Sequence, residues 1–179
     1  TSNAANHGNI GANAVDLSIS SDASTTRGAT GMYSIAMGQD TKASGLASTA
    51  MGNNTTASGY FSTAMGNYAT ASGSYSTAMS FGSVATGMSS TAMGEFSVSS
   101  GDASVAMGGY TSATGSRSTA MGQGSIASGD FSTAMGRGSR ASGFSSTAMG
   151  KSTTASGIYS TAMGRTTTAS GRGSTAMGL

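Results

Sequence analysis

Among 179 residues there is no cysteine, no proline and no tryptophan, a single histidine, and only 8% charged side chains, against about 25% in an ordinary globular domain. Each shortage closes a class of function. Without cysteine there is no disulfide stapling and no thiolate-ligated metal. With His7 as the only histidine, neither a His-based triad nor a His-ligated metal centre can be assembled within one chain; His7 itself reads as an exposed polar residue near a terminus. No apolar run approaches the ~20 residues of a membrane span. No basic segment followed by an apolar stretch opens the sequence as a secretory signal would, so the reading is of a soluble piece of something longer. The formal net charge is small, +2.

What is abundant is repetition. Methionine falls at 37, 51, 65, 79, 93, 107, 121, 135, 149, 163 and 177, eleven of the thirteen in the chain, always fourteen apart; only Met32 and Met88 lie off this rank. Alanine precedes each ranked methionine and serine stands three before it, from Ser34 to Ser174. A rank of glycines runs from Gly31 to Gly171 without a gap, whereas the glycine after methionine fails once, at Ser80. With 29 glycines, the composition alone would fit a flexible linker. A linker has no reason to keep methionine in step, and a strict period decides the architecture.

Two glycines per copy, with serine and threonine filling much of the rest, oppose helix. Fourteen residues instead make one turn of a narrow β-coil, two short strands and two tight bends, climbing one strand spacing of ~4.8 Å per copy. The expected fold is therefore all-β, a solenoid of 14-residue coils over residues 29–179. Residues 1–28 fit the repeat poorly. There NIGANAVDLSIS alternates like a strand and Ala23 falls where a methionine would be, so a degenerate first coil or N-terminal cap is expected, since a solenoid's end must be covered.

Alternation puts Thr49 and Met51 on one face of their strand, and Ser48, Ala50 and Gly52 on the other. The expectation is that methionine fills the coil interior opposite Ala57 and Gly59, leaving the Ser/Ala/Gly face for a neighbouring surface; the reverse assignment stays open. Glycine at both bends suits a positive φ or a site too crowded for a Cβ. With one large apolar anchor per copy to set against the entropy of ordering fourteen residues, an obligate oligomer is expected.

The pattern A-x-G-x-x-S-x-A-x-G, written from Ala43 through Gly45, Ser48 and Ala50 to Gly52 and recurring down to Gly178, resembles the head repeats of trimeric autotransporter adhesins, the YadA-like family. Where that family often carries Val and Ile around the central alanine, this chain has Thr and Met. The resemblance implies a left-handed parallel β-roll and a homotrimer displayed at the cell surface, on the outer membrane of a Gram-negative bacterium. The neck, stalk and membrane anchor of such proteins are absent from this sequence. It implies binding of host extracellular-matrix components, commonly collagen, without enzymatic activity.

Catalytic signals are missing. The six acids are scattered singly; Asp102 and Asp130 share a register two copies apart, with no cleft or aromatic platform signalled beside them. The periodic aspartate of a calcium-binding repeat is absent, the glycines form no phosphate loop, and no cofactor or metal is expected.

Ligand contacts are sought where the copies differ. After S-T-A-M-G, the later copies place Arg137, Lys151 and Arg165 in one register. With Arg117, Arg140 and Arg172 they set six basic residues against Asp130 alone in residues 116–179, a net +5, while residues 1–115 hold two basic and five acidic, a net −3. Stacked like charges repel, so the ridge reads either as a site for an acidic ligand or as charge that merely keeps a polar rod soluble. Nucleic acid is not expected, for no aromatic pattern accompanies the ridge. A second register, two residues after the unbroken glycine rank, holds Tyr33, Phe61, Tyr75, Phe131 and Tyr159, with Tyr60 and Phe144 one step earlier in theirs; these rings either offer contact area to a protein ligand or merely cover the bend. Two other readings accompany the adhesin: a structural spacer lifting another binding domain, and an ice-binding β-solenoid, since threonine precedes the central alanine in all copies but those of Ile35 and Val105.

Overall fold

The computed structural model describes residues 8–178, and among them there is no helix. The chain forms two compact units, Thr1–Ser89 and Ser90–Leu179. Each is built from the same coil. A strand of three to five residues such as Thr49–Asn53 turns through a bend into a two-residue strand such as Thr56–Ala57, and a second bend leads into the next coil. Among the described residues all pairing is parallel, and from Gly28 onward it is in register at the period of fourteen. In the first unit Thr49, Ala50, Met51, Gly52 and Asn53 lie against Thr63, Ala64, Met65, Gly66 and Asn67; in the second, Thr119 to Gln123 lie against Thr133 to Arg137. Long strands thus make one sheet and short strands another.

Backbone polarity is satisfied through the bends as well as the strands, as a thin coil requires. The Ser44 N–H donates to the Ala57 carbonyl at 2.9 Å, the Thr49 N–H to Ser62 at 2.9 Å, and the Phe61 N–H back to Leu46 at 2.8 Å. The ranked serine ties off the bend behind it. Its N–H reaches the carbonyl of the glycine three residues earlier, Ser48 to Gly45 at 3.2 Å, and in Ser34, Ser62 and Ser104 the hydroxyl donates to the equivalent carbonyl at 2.7, 2.7 and 2.6 Å.

The expectation of a methionine interior is overturned. Ala50, Ala57 and their equivalents up to Ala169 are buried, lying between the sheets with Ser48 and Thr55, while the methionines point outward, Met37 being 38% exposed and Met121 36%. The reason is width. Two-residue strands closed by tight bends hold the sheets so close that the largest fully buried side chains are threonines, Thr41, Thr55, Thr111 and Thr153. No space for a methionine exists where alanine stacks on alanine.

The two glycine ranks have different causes. Gly52 has φ +120° and Gly45 does not, yet a Cβ on either would overlap the carbonyl oxygen of the next coil's glycine, Gly66 and Gly59 respectively. Ser80, the one exception in the rank after methionine, is held at φ +105°.

The first coil differs from its expected register. Val15–Ile19 pairs with Ile35–Gln39, which sets Leu17, not Ala23, opposite Met37. This interval is twenty residues because the connection is longer, and the misplacement of Ala23 came from extending a period of fourteen through it. The longer connection is pinned by Asp40. Its buried carboxylate accepts the Ser21 N–H and hydroxyl, both at 2.8 Å, and Arg27 Nη1 at 2.6 Å. The Ser21 backbone hydrogen bond, above all, holds the Asp40 carboxyl below its ordinary range, against the opposing cost of burial.

Two outcomes follow from this packing. Ser80→Gly should relieve a strained φ by about 1 kcal/mol and raise the melting temperature by roughly 2–4 °C, while Gly122→Ala, whose Cβ would meet the Gly136 carbonyl, should cost about 2–3 kcal/mol or more. Thermal denaturation reads both. The Asp40 contacts contribute stability above the carboxylate's unfolded pKa, and that contribution is lost as pH falls through its lower folded value. Hydrogen exchange across residues 20–27 should therefore quicken below pH ~4, and Asp40→Asn should quicken it about tenfold at neutral pH, the equivalent of one charged hydrogen bond. Unchanged exchange in that variant would show that the carboxylate does not hold the segment.

Candidate ligand-binding edges

Every coil has two bends, so each unit has two edges, one where long strands end and one where short strands end. Invariant side chains face inward or lie on the sheets; the variable ones collect on these edges. Arg137, Lys151 and Arg165 close three successive long strands, and the pairing places Arg137 beside Lys151 and Lys151 beside Arg165, with Gln123 before them. All three are exposed. Arg140 starts the short strand of the same coil as Arg137, between Ile126 and Thr154, and is exposed too. Among the described residues, the side chains of these four cations make no hydrogen bond or ion pair; the Arg27–Asp40 pair lies in the other unit.

The aromatic register occupies the opposite edge. Tyr33, Phe61, Tyr75, Phe131 and Tyr159 are exposed and all lie in the left-handed region, at φ 55–59°. Bulky side chains rarely adopt that conformation. Rings of neighbouring coils touch: Phe61 stacks on Tyr75 at 5.3 Å between centroids, while Phe144, one step earlier in its bend, meets Phe131 edge-on at 5.4 Å and Tyr159 at 5.8 Å. Arg117, also at positive φ, lays its guanidinium over the Phe131 ring at 5.2 Å. Arg172 follows Gly171 on this edge and is exposed. The residues expected to contact ligand thus fall into two groups on opposite edges, with Arg117 and Arg172 among the aromatics rather than on the basic ridge.

A further aromatic set went unnoticed in the sequence. Tyr68, Phe96 and Tyr110 each stand three residues after a ranked methionine, on the edge of the basic register and at φ 50–58°. Tyr68 meets Phe81 at 6.2 Å in the first unit, and Phe96 meets Tyr110 at 5.4 Å in the second. The signal is periodic spacing in the register one residue after that of the basic ridge.

Asp130 Oδ1 accepts the Ser116 N–H at 2.9 Å, which gives it a place in the bend. Among the described residues no three metal-ligating side chains gather, and no helix is long and apolar enough to cross a membrane. His7 lies outside the described residues.

These coils define a parallel β-solenoid in which repeated residues hold the stack and variable ones are displayed on its edges. The chain matches the family model of the YadA head domain repeat over residues 29–55, 57–79, 85–111, 113–139, 141–165 and 155–179. It belongs to the YadA head family, and its function is of the adhesin type. No curated protein matches the chain.

Ring contacts between coils bear on stability. Phe144→Ser, which installs the residue found in that position at Ser74 and Ser116, should cost about 1 kcal/mol by removing two edge-on pairs. Chemical denaturation measures it, and an unchanged midpoint would show that the column contributes nothing to the stack.

Proposed function

We propose that the chain is the non-enzymatic binding head of a trimeric adhesin, displayed on the outer membrane of a Gram-negative bacterium and attached to host extracellular matrix through its edges. The observation that carries this reading is the outward face of the long strands. In each unit it presents an uninterrupted methionine stripe, Met37 to Met79 in one and Met93 to Met177 in the other, flanked by half-buried threonines and by Ile35 and Val105. Contiguous apolar surface on an outward face, exposed at Met37, Met107, Met121 and Met177 and half-buried between them, marks an association site. Behind it lies a core of alanine, serine and threonine, which removes little apolar area from water per ordered residue. Covering the stripe with two further copies supplies the missing burial and leaves the variable edges for ligand.

The ice-binding reading finds less support. On the long strands threonine runs beside methionine rather than beside a second threonine rank, and the outward positions of the short strands are interrupted by Val84, Ile126 and Arg140.

Light scattering on the purified chain should give the mass of three copies, and its ranked methionines should resist peroxide in the native assembly while oxidising readily after denaturation. A folded monomer, or equal oxidation in both states, would leave the stripe uncovered and remove the interface. Matrix ligand is tested by binding to a panel of matrix proteins, collagen included; binding to none would favour the spacer.

A further inference from the structure

Resting on the adhesin reading, we infer that the edge formed by Arg137, Lys151 and Arg165 is a binding track for a linear sulfated polysaccharide lying along the stacking direction of the coils. The parallel register sets these cations one strand spacing apart, ~4.8 Å, the scale on which successive residues of an extended sugar chain advance. Like charges so placed repel. Among the described residues no relief is supplied, since their side chains meet no carboxylate and Asp130, the one acidic side chain in residues 116–179, sits on the opposite edge and accepts the Ser116 N–H. A column of free cations at fixed spacing is complementary to a polyanion of similar spacing, and within a screening length of ~8 Å the three charges act together.

The surroundings select sulfate esters on a sugar over the phosphates of a nucleic acid. Beside the cations stand hydroxyls, Ser152 and Thr166 at the tips of the bends and Thr154 at the start of the next short strand. These donors complement guanidinium and ammonium groups around a sulfate's oxygens. The same edge carries no ring from Arg137 onward; its aromatics Phe96 and Tyr110 lie in earlier coils, so unstacked bases would find no platform there. In the earlier coils of this unit the register reads Glu95, Gly109 and Gln123, which limits the track to its last coils.

The test uses the purified chain with heparin as probe, against desulfated heparin and single-stranded DNA, over a range of salt. The triple variant Arg137→Gln, Lys151→Gln, Arg165→Gln should bind heparin roughly ten- to a hundredfold more weakly, as expected of three exposed charge pairs lost together, and with a shallower salt dependence. Glutamine already occupies this register at Gln39 and Gln123, so the fold should hold, as circular dichroism would verify. Should the triple variant fail to fold, Lys151→Glu alone places an opposing charge in the middle of the track and should weaken binding in the same direction. Arg117→Gln with Arg172→Gln lowers the net charge on the other edge and should leave heparin affinity within about threefold. Equal losses in the two multiple variants, undiminished binding to desulfated heparin, or competition by DNA as strong as by heparin would overturn the inference. Absence of heparin binding in the parent would overturn it as well, while the matrix-protein panel reports separately on the adhesin reading.

Discussion

Everything in this chain depends on the stacking of each coil on a copy of itself one strand spacing away. In a parallel, in-register array a side chain's neighbours above and below are its own equivalents, so each position must hold a residue that packs against itself. Ala50 on Ala64 and Met51 on Met65 meet that demand by shape. Gly45 and Gly52 meet it by leaving room for the carbonyl of the coil beyond. A change at one such position is felt by two coils, which is why most variation lies at the bends and at outward strand positions such as Ile35, Val105, Ile126 and Arg140.

The same closeness makes an unusual core. Its inward residues are alanines, serines and threonines, and the serines serve partly as bend ties through the carbonyl of the glycine behind them. The single serine in the inward alanine rank of the short strands, Ser99, shares a hydrogen bond with Ser104 at 2.6 Å, while other buried hydroxyls such as those of Ser48 and Thr55 have no partner among the described residues. A core of this kind excludes water through fit rather than through large apolar side chains. The methionines are displaced to the outer face, where their flexible, polarisable side chains suit contact with another surface. Stability and assembly are thus linked through the same rank of residues.

At the bends the chain tolerates backbone strain that the strands do not. Tyrosine and phenylalanine stand at positive φ on both edges, with ring pairs between neighbouring coils as partial compensation. Strain of this kind gathers where display matters. The two edges differ in the second unit, one ending in a column of exposed cations and the other in a ring column capped by Arg117, so two surfaces of different chemistry are offered by one repeated scaffold.

The sequence by itself determined the coil, its parallel stacking, the glycine ranks and the registers in which charge and rings recur, because all of these follow from period and residue size. Alternation also separated Thr49 and Met51 from Ala50. Which of those faces lies inside was decided only by the tertiary structure, for the gap between the sheets is set by how tightly both bends close, and a strand's own residues carry no record of that distance. The first coil was misaligned for a related reason: nothing local marks the connection before Gly28 as longer until Asp40, Ser21 and Arg27 come together across it. The candidate residues were likewise legible one by one, as registers. Their division between opposite edges required knowing that the two bends of a coil face away from each other, a property of the closed turn rather than of any residue within it.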